Sequence, residues 1–153
     1  IWVGGFSTDL ICINKRTKQV RKIGLPVHNM YHAPQNYIYS IVEDQEGDIW
    51  LGGAISKLLK YDVASGKCEQ YDVKGINKIL EINSKTLVLG TVSGVFYFDK
   101  RTGRHQRLNF RTLSKDKDVP AYPFINNIVR DIANSSVLWI GTDGNGLFRY
   151  NMA

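Results

Sequence analysis

A short motif that occurs four times constrains the fold of this chain more than any other feature of the sequence. It reads Trp-Val-Gly-Gly from residue 2, Trp-Leu-Gly-Gly from residue 50 and Trp-Ile-Gly-Thr from residue 139, and a fourth copy, Val-Leu-Gly-Thr, begins at residue 88. An apolar or aromatic residue followed by Asn or Asp comes eleven residues after each Trp and ten residues after Val88. Such internal repetition is typical of propellers, solenoids and other repeat folds.

Each copy of the repeat divides into short segments rich in Ile, Val, Tyr, Phe and Trp, bounded by Gly, Asn, Asp and Ser. This composition is typical of β-strands. The first segment of a copy is apolar on both faces, whereas the fourth mixes in Lys, Glu, Gln and Arg. Four-stranded antiparallel units with a buried inner strand and a solvent-exposed outer strand are typical of propeller blades. We therefore predict an all-β fold of β-propeller blades in an incomplete propeller, with a partial blade at 1–25, blades at 38–73 and 76–110, and a partial blade at 125–151.

The large residue that starts the motif has a structural explanation. Blades pack face to face, and a flat aromatic side chain on the second strand fills the gap between sheets. The glycine two positions later lies on the same face and is expected to make room for it. The structural residues of the repeat are Trp2, Trp50, Val88, Trp139, Gly52, Gly90 and Gly141.

The two ends of the chain read as incomplete blades. The sequence opens within an apparent strand and has no initiator Met, so we expect it to be cut from a longer protein. The first copy lacks its inner strand and the last copy its outer strand, which leaves edges open to pairing. We expect further blades of the parent, or self-association, to cover them. No apolar run of about 18 residues is present, and we expect no direct membrane contact from this segment.

The net charge and the number of cysteines limit which classes of ligand and partner the chain is expected to bind. The net charge is +6, from 20 Lys and Arg against 14 Asp and Glu. The basic residues are scattered singly and in pairs, which indicates a solvated surface, and we expect no nucleic-acid partner. The basic bias favours an anionic ligand. Cys12 and Cys68 are too few for a disulfide framework and lack metal-ligand spacing, so we expect buried thiols.

Two strings of residues could carry chemistry, and each has a simpler interpretation. Residues 141–146 could cradle a phosphate or Ca²⁺, but the same slot recurs at 52–57 and 90–94, which favours a hairpin turn. His28 and His32 have the spacing of helical zinc ligands, but they lie in a proline-flanked loop without the glutamate of the metalloprotease motif. No nucleophile elbow or carboxylate pair is indicated. We predict no catalytic residue, no metal site and no cofactor.

The irregular spacing of the repeats points to the functional loops. Successive motif positions are 48, 38 and 51 residues apart, and the surplus lies in two inter-blade connections, 24–37 and 111–124. Long loops held by a rigid scaffold are a common place for function. Aromatic rings there could stack on a sugar, and cations could bind its acidic groups. The candidate ligand-binding residues are Tyr31, His32, Tyr37, Lys115, Lys117, Tyr122 and Phe124. The alternative is that the aromatics only anchor the loops on the blades.

The repeat resembles a known family, the two-component regulator propeller repeat. The resemblance lies in residues 47–53 followed by 58–62, and in residues 137–150. It implies a periplasmic sensor domain of a bacterial hybrid two-component histidine kinase. Such a sensor would detect oligosaccharides and control carbohydrate-use genes, with the kinase outside this segment and no enzymatic activity within it.

Two other classes of function remain open on the residues alone. One is a propeller-fold enzyme, such as a lyase or a glycoside-acting protein, since one fold hosts many functions. The other is a scaffold for protein–protein interaction. A clustered His with acidic neighbours would favour the enzyme, and an exposed apolar patch would favour the scaffold.

Overall fold

The fold is all-β. A computed structural model of the protein describes residues 1–5, 9–26, 37–55, 57–110 and 120–153. Within them it has these strands: β1 (Trp2–Val3), β2 (Asp9–Ile13), β3 (Val20–Gly24), β4 (Ile38–Glu43), β5 (Ile49–Gly53), β6 (Leu58–Tyr61), β7 (Cys68–Tyr71), β8 (Ile76–Asn83), β9 (Thr86–Thr91), β10 (Gly94–Asp99), β11 (His105–Arg107), β12 (Ile125–Arg130), β13 (Val137–Thr142) and β14 (Leu147–Asn151). None of the described residues belongs to a helix long and apolar enough to cross a membrane.

The strands form four antiparallel sheets in which each strand pairs with its neighbour in sequence. Their orders are β1-β2-β3, β4-β5-β6-β7, β8-β9-β10-β11 and β12-β13-β14. Meandering sheets of three and four strands are propeller blades, so the predicted fold class, an incomplete β-propeller, is confirmed. The chain divides into two compact units, residues 1–76 and 77–153.

The turn between the third and fourth strands of a blade is built by one side chain. In the second sheet, the Asp62 carboxylate accepts the backbone N–H groups of Ala64 and Ser65, both at 2.9 Å. The turn then needs a residue with positive φ, which Gly66 supplies at 73°. Asp99 and Gly103 repeat the arrangement in the third sheet. These turns follow from local sequence, because Asp hydrogen-bonds its own turn and Gly tolerates positive φ.

The core of the first unit lies between its two sheets. Leu10 from β2 packs with Ile49 and Leu51 from β5 and with Leu59 from β6, and all four are fully buried. Trp2 packs against this cluster, with its ring edge-on to Tyr61 at 6.1 Å between centroids. Since each strand contributes alternate residues to this cluster, the sheets meet through the apolar faces that the repeat predicts.

The second unit has a matching core. Val88 and Val95 from the third sheet pack with Ile128 and Ile140 from the fourth. Phe110, which follows β11, is fully buried there and meets Phe148 edge-on at 5.0 Å. The two sheets of this unit are therefore joined by a continuous apolar layer.

The motif residues occupy equivalent second strands but differ in surroundings. Trp2 begins β1, Trp50 lies in β5, Val88 in β9 and Trp139 in β13. Trp50 and Val88 are fully buried, whereas Trp2 and Trp139 are half-buried. The first and last sheets thus bury their motif residue less completely than the two middle sheets.

The motif glycines do not share the expected role of making room for the large side chain. A Cβ on Gly90 would lie 2.7 Å from Cγ2 of Ile125, so this glycine admits a side chain of the next sheet. A Cβ on Gly141 would meet only the Asn127 carbonyl, at 3.9 Å. Gly52 is buried and pairs with Ser40 on β4. The next sheet therefore limits the space at Gly90, whereas the space at Gly141 is open apart from that carbonyl.

The two cysteines are free, but they are half-buried, and the expectation of buried thiols was wrong. Cys12 lies opposite Trp2, and Cys68 lies opposite Tyr61 on the outer strand of its sheet. An outer strand has only one covered face, so a thiol there keeps contact with solvent.

Candidate functional site

Three of the seven candidate ligand-binding residues fall in the described part of the chain. Tyr37 belongs to the first unit, and Tyr122 and Phe124 belong to the second. The other four candidates, Tyr31, His32, Lys115 and Lys117, lie outside the described residues.

Tyr37 is held against the end of the second sheet. Its carbonyl oxygen would lie only 1.8 Å from a Cβ placed on Gly53, so the chain crosses directly over the end of β5. Its ring lies nearly parallel to that of Tyr39, with 6.1 Å between centroids and 15° between planes. Tyr37 is half-buried and Tyr39 is 56% exposed. Tyr37 thus anchors the connection on the blade, and the accessible ring of the pair is that of Tyr39.

In the second unit, Tyr122 takes part in a stack of three side chains. The guanidinium carbon of Arg107 lies 4.9 Å from the ring centroid of Phe96 and 4.5 Å from that of Tyr122. Phe96 and Arg107 are directly opposite on β10 and β11, so the sheet itself sets the first contact. We call Phe96, Arg107 and Tyr122 the Arg107 stack. It places a cation within cation–π distance of two aromatic rings, whose negative faces stabilise the positive charge.

The position of Tyr122 in the Arg107 stack depends on Gly94. A Cβ on Gly94 would lie 3.3 Å from Cβ and 3.5 Å from Cα of Tyr122, and Gly94 has a φ of +110°. A side chain there would be strained and would push against Tyr122. The turn between β9 and β10 thus requires glycine for its own geometry and for the approach of the 111–124 connection.

Phe124 is fixed by the next turn. Its carbonyl accepts the backbone N–H of Asp143 at 2.9 Å, and the turn is closed by Thr142, whose N–H and hydroxyl both donate to the Gly146 carbonyl. Residues 141–146 thus form the hairpin turn between β13 and β14, as expected from the sequence. Phe124 remains 38% exposed and Tyr122 remains 44% exposed. Both rings are accessible to a ligand while their backbones are held in place.

Arg107 is the functional feature that the sequence analysis missed. Its side chain is exposed, and in the part of the chain that the structure describes no carboxylate pairs with it. The pairing of Arg107 with Phe96 could have been predicted, because pairing residues outward on both sides of the Thr102-Gly103 turn sets these two opposite each other. The contact between Arg107 and Tyr122 could not be predicted in this way.

Two clefts lie in the second unit, and neither contains Tyr122 or Phe124. One, of about 320 Å³, lies beside the β10–β11 turn and is lined by residues that include Asp99, Arg104 and His105. The other, of about 410 Å³, is lined by Arg130, Ser135, Ser136 and the Tyr97–Tyr150 pair, among others. In this second cleft Arg130 donates to the Ile82 carbonyl at 2.7 Å. Burial, together with a hydrogen bond to Tyr150, raises the pKa of Tyr97 above the ordinary value of 10.0.

An acidic cluster in the first unit, Asp44, Glu46 and Asp48, has a structural explanation. The Asp44 carboxylate accepts the backbone N–H groups of Glu46 and Asp48, both at 3.0 Å. Asp48 forms an ion pair with Lys60 at 2.8 Å, and its hydrogen bond raises the pKa of that lysine. The carboxylate of Asp44 therefore stabilises the turn and that of Asp48 the adjacent ion pair, while the Glu46 side chain is exposed.

Part of the chain matches a known protein family. A family model described as the two component regulator propeller matches residues 32–54, which comprise the end of the first long connection together with β4 and β5. No curated protein matches the chain at a significant level.

Among solved structures, the chain is similar to the extracellular domain of a protein described as a hybrid two component system from B. thetaiotaomicron. The TM-score is 0.74 at 22% identity, and the match covers 98% of this chain and 20% of that one. A second such domain from the same organism gives a TM-score of 0.58 at 14% identity, with 99% and 25% covered. The chain thus spans about a fifth to a quarter of these domains.

The same fold also occurs in an enzyme. Virginiamycin B lyase from Staphylococcus aureus matches with a TM-score of 0.61 at 15% identity, over 95% of this chain and 49% of that one. At identities this low, each of these likenesses is a likeness of fold.

Proposed function

We propose that this chain is a segment of the periplasmic sensor propeller of a bacterial hybrid two-component system. The sensor binds oligosaccharides, and a histidine kinase elsewhere in the protein passes the signal to carbohydrate-use genes. The observation that carries the proposal is the match of residues 32–54 to the two component regulator propeller. The shared fold with extracellular domains described as hybrid two component systems supports it over nearly the whole chain.

The loop ends of the blades supply the surface that such a sensor needs. Tyr39 in the first unit and Tyr122 and Phe124 in the second present accessible rings. Tyr39 lies on β4, Tyr122 lies close to the turn glycine Gly94, and the Phe124 carbonyl accepts the N–H of the turn residue Asp143. An aromatic face can stack on the apolar face of a sugar ring, and a rigid scaffold lowers the entropic cost of holding it there. These residues therefore suit recognition of a saccharide better than they suit a catalytic centre.

The lyase-like alternative has less support from the described residues. His105, the one histidine among them, meets the Phe96 ring edge-on at 5.6 Å. This contact gives His105 a packing role on the outer strand.

Calorimetric titration of the full-length protein with a panel of neutral and acidic oligosaccharides tests the proposal. Tyr31→Ala, Tyr37→Ala and Tyr122→Ala are expected to weaken binding of the active sugar roughly fivefold while the fold is kept, because a lost stacking contact is worth about 1 kcal/mol. Tyr122→Phe is the matched control, since it keeps the ring. Undiminished binding in all three alanine variants would show that the site does not lie in these loops. If no oligosaccharide of the panel binds, the sensor function is overturned.

A further inference from the structure

We propose that Arg107 is an oxyanion-binding residue that recognises the carboxylate or sulfate of an acidic oligosaccharide. The inference rests on the proposed function and adds the chemical class of the ligand. It also adds a residue outside the two long connections, on the last strand of the third sheet.

Two aromatic contacts restrain the Arg107 side chain. Its guanidinium carbon lies 4.9 Å from the ring centroid of Phe96 and 4.5 Å from that of Tyr122. Phe96 is itself held as the cross-strand partner of Arg107, and Tyr122 is held by its approach to Gly94. A long side chain normally loses much rotamer freedom on binding, and this one has already lost a large part of it.

The edge of the guanidinium remains available. Arginine has five N–H donors in a planar fork that matches a carboxylate or sulfate through two parallel hydrogen bonds. Arg107 is exposed, and across residues 1–5, 9–26, 37–55, 57–110 and 120–153 it forms no ion pair with an acidic side chain. We therefore expect an anionic group of the ligand to accept hydrogen bonds from the guanidinium N–H groups of Arg107.

The distribution of charge favours the same ligand. Residues 77–153 contain eleven Lys and Arg against six Asp and Glu, so this half of the sequence carries most of the net charge of +6. Excess positive charge raises the local concentration of anions and speeds their association. The Tyr122 ring, 44% exposed, borders the guanidinium and offers a surface for the sugar ring that bears the anion. Arg107 and Tyr122 together can therefore bind both a sugar ring and its acidic substituent.

Titration calorimetry on the full-length protein tests this inference with three probes: the trimer of galacturonic acid, the neutral trimer of galactose, and the same neutral trimer carrying sulfate esters. We expect an acidic trimer to bind, and Arg107→Gln to weaken it roughly tenfold to a hundredfold, the range for a charge-assisted hydrogen-bonded pair. Arg107→Lys keeps the charge but loses the fork, and is expected to recover only part of the affinity. Which acidic trimer responds distinguishes a carboxylate from a sulfate ligand.

Arg101→Gln is the matched control, because Arg101 is an exposed arginine at the opposite end of the β10–β11 hairpin and its loss changes the net charge equally. It is expected to leave affinity within about twofold. Acidic trimers that bind Arg107→Gln as tightly as the unchanged protein, or a preference for the neutral trimer, would overturn the Arg107 site and leave the sensor function standing. Absence of binding by all three probes to the unchanged protein would count against both.

Discussion

The indole nitrogen of Trp50 donates a hydrogen bond to a carboxylate oxygen of Asp44 at 2.7 Å. The same bond recurs in the last sheet, from Trp139 to Asp131, also at 2.7 Å. In each case the Asp also accepts backbone N–H groups of the turn between the first two strands. One carboxylate thus ties the turn to the large side chain of the motif. In the Val88 copy, Asn83 keeps the turn bond to Lys85, and there is no indole to bind.

Removal of the Asp44 carboxylate should destabilise the first unit. Asp44→Ala deletes the acceptor of a fully buried indole N–H together with two turn hydrogen bonds, and we expect a loss of about 2–3 kcal/mol in the free energy of unfolding. Urea denaturation measures it. Glu46→Ala, in which an exposed side chain of the same turn is removed, is the control and is expected to change stability by less than about 0.5 kcal/mol. Equal losses in the two variants would show that the indole bond contributes nothing.

Gly90 should resist substitution where Gly141 does not. In Gly90→Ala the new Cβ would lie 2.7 Å from Ile125 Cγ2 and 3.1 Å from Ile128 Cδ1, and both isoleucines are fully buried. We expect a loss of about 1–3 kcal/mol, the usual cost of overpacking. Gly141→Ala, which meets only a carbonyl at 3.9 Å, should stay within about 0.5 kcal/mol of the unchanged protein. Thermal denaturation of both variants compares them, and a neutral Gly90→Ala would contradict the close packing of the two sheets.

Acid should destabilise the fold through its turn carboxylates. Hydrogen bonds from the turn backbone lower the pKa of Asp62 and Asp99 below 3.8, and a bond from Trp139 does the same for Asp131. A carboxyl whose folded pKa is depressed contributes stability above its unfolded pKa and loses it as pH falls through the folded pKa. We expect the melting temperature to be insensitive to these groups at neutral pH and to fall below about pH 4.

The amide variants isolate the turn contribution to this acid response. Asp62→Asn and Asp99→Asn together keep an oxygen acceptor for the turn N–H groups but remove the titration. The double variant should therefore show a shallower fall of melting temperature between pH 4 and pH 2.5. Because these carboxylates are exposed to solvent, the difference should be modest and should shrink further in high salt. A fall as steep as in the unchanged protein would place the acid response elsewhere.

Cys68 should react slowly while the protein is folded. Its pKa is raised from 9.0 to about 11, first by burial and second by the negative charge of Glu69. The thiolate is the reactive form, and its lower abundance outweighs its higher intrinsic nucleophilicity. In a Cys12→Ser background, we expect alkylation by iodoacetamide at pH 8 to be roughly tenfold slower in the folded protein than in urea. Equal rates in the two conditions would contradict the raised pKa.

The all-β fold and the four-copy repeat could be predicted from the sequence. They follow from local patterns: alternating apolar residues, turn formers such as Asp62 and Gly66, and a motif that occurs four times. A turn closed by its own Asp needs no distant partner, so it can be recognised from five consecutive residues. The register of β10 and β11, which sets Arg107 opposite Phe96, is local in the same sense.

The packing around those elements could not be predicted from the sequence. Gly90 lies against Ile125, a residue 35 positions later in the sequence, and Trp50 is fully buried whereas Trp139 is half-buried. Tyr122 reaches Arg107 across a long connection whose route no local pattern specifies. Contacts of this kind arise when separate sheets pack, and packing depends on the shapes of surfaces assembled from distant segments, whereas a repeat pattern encodes only which face of each strand is apolar.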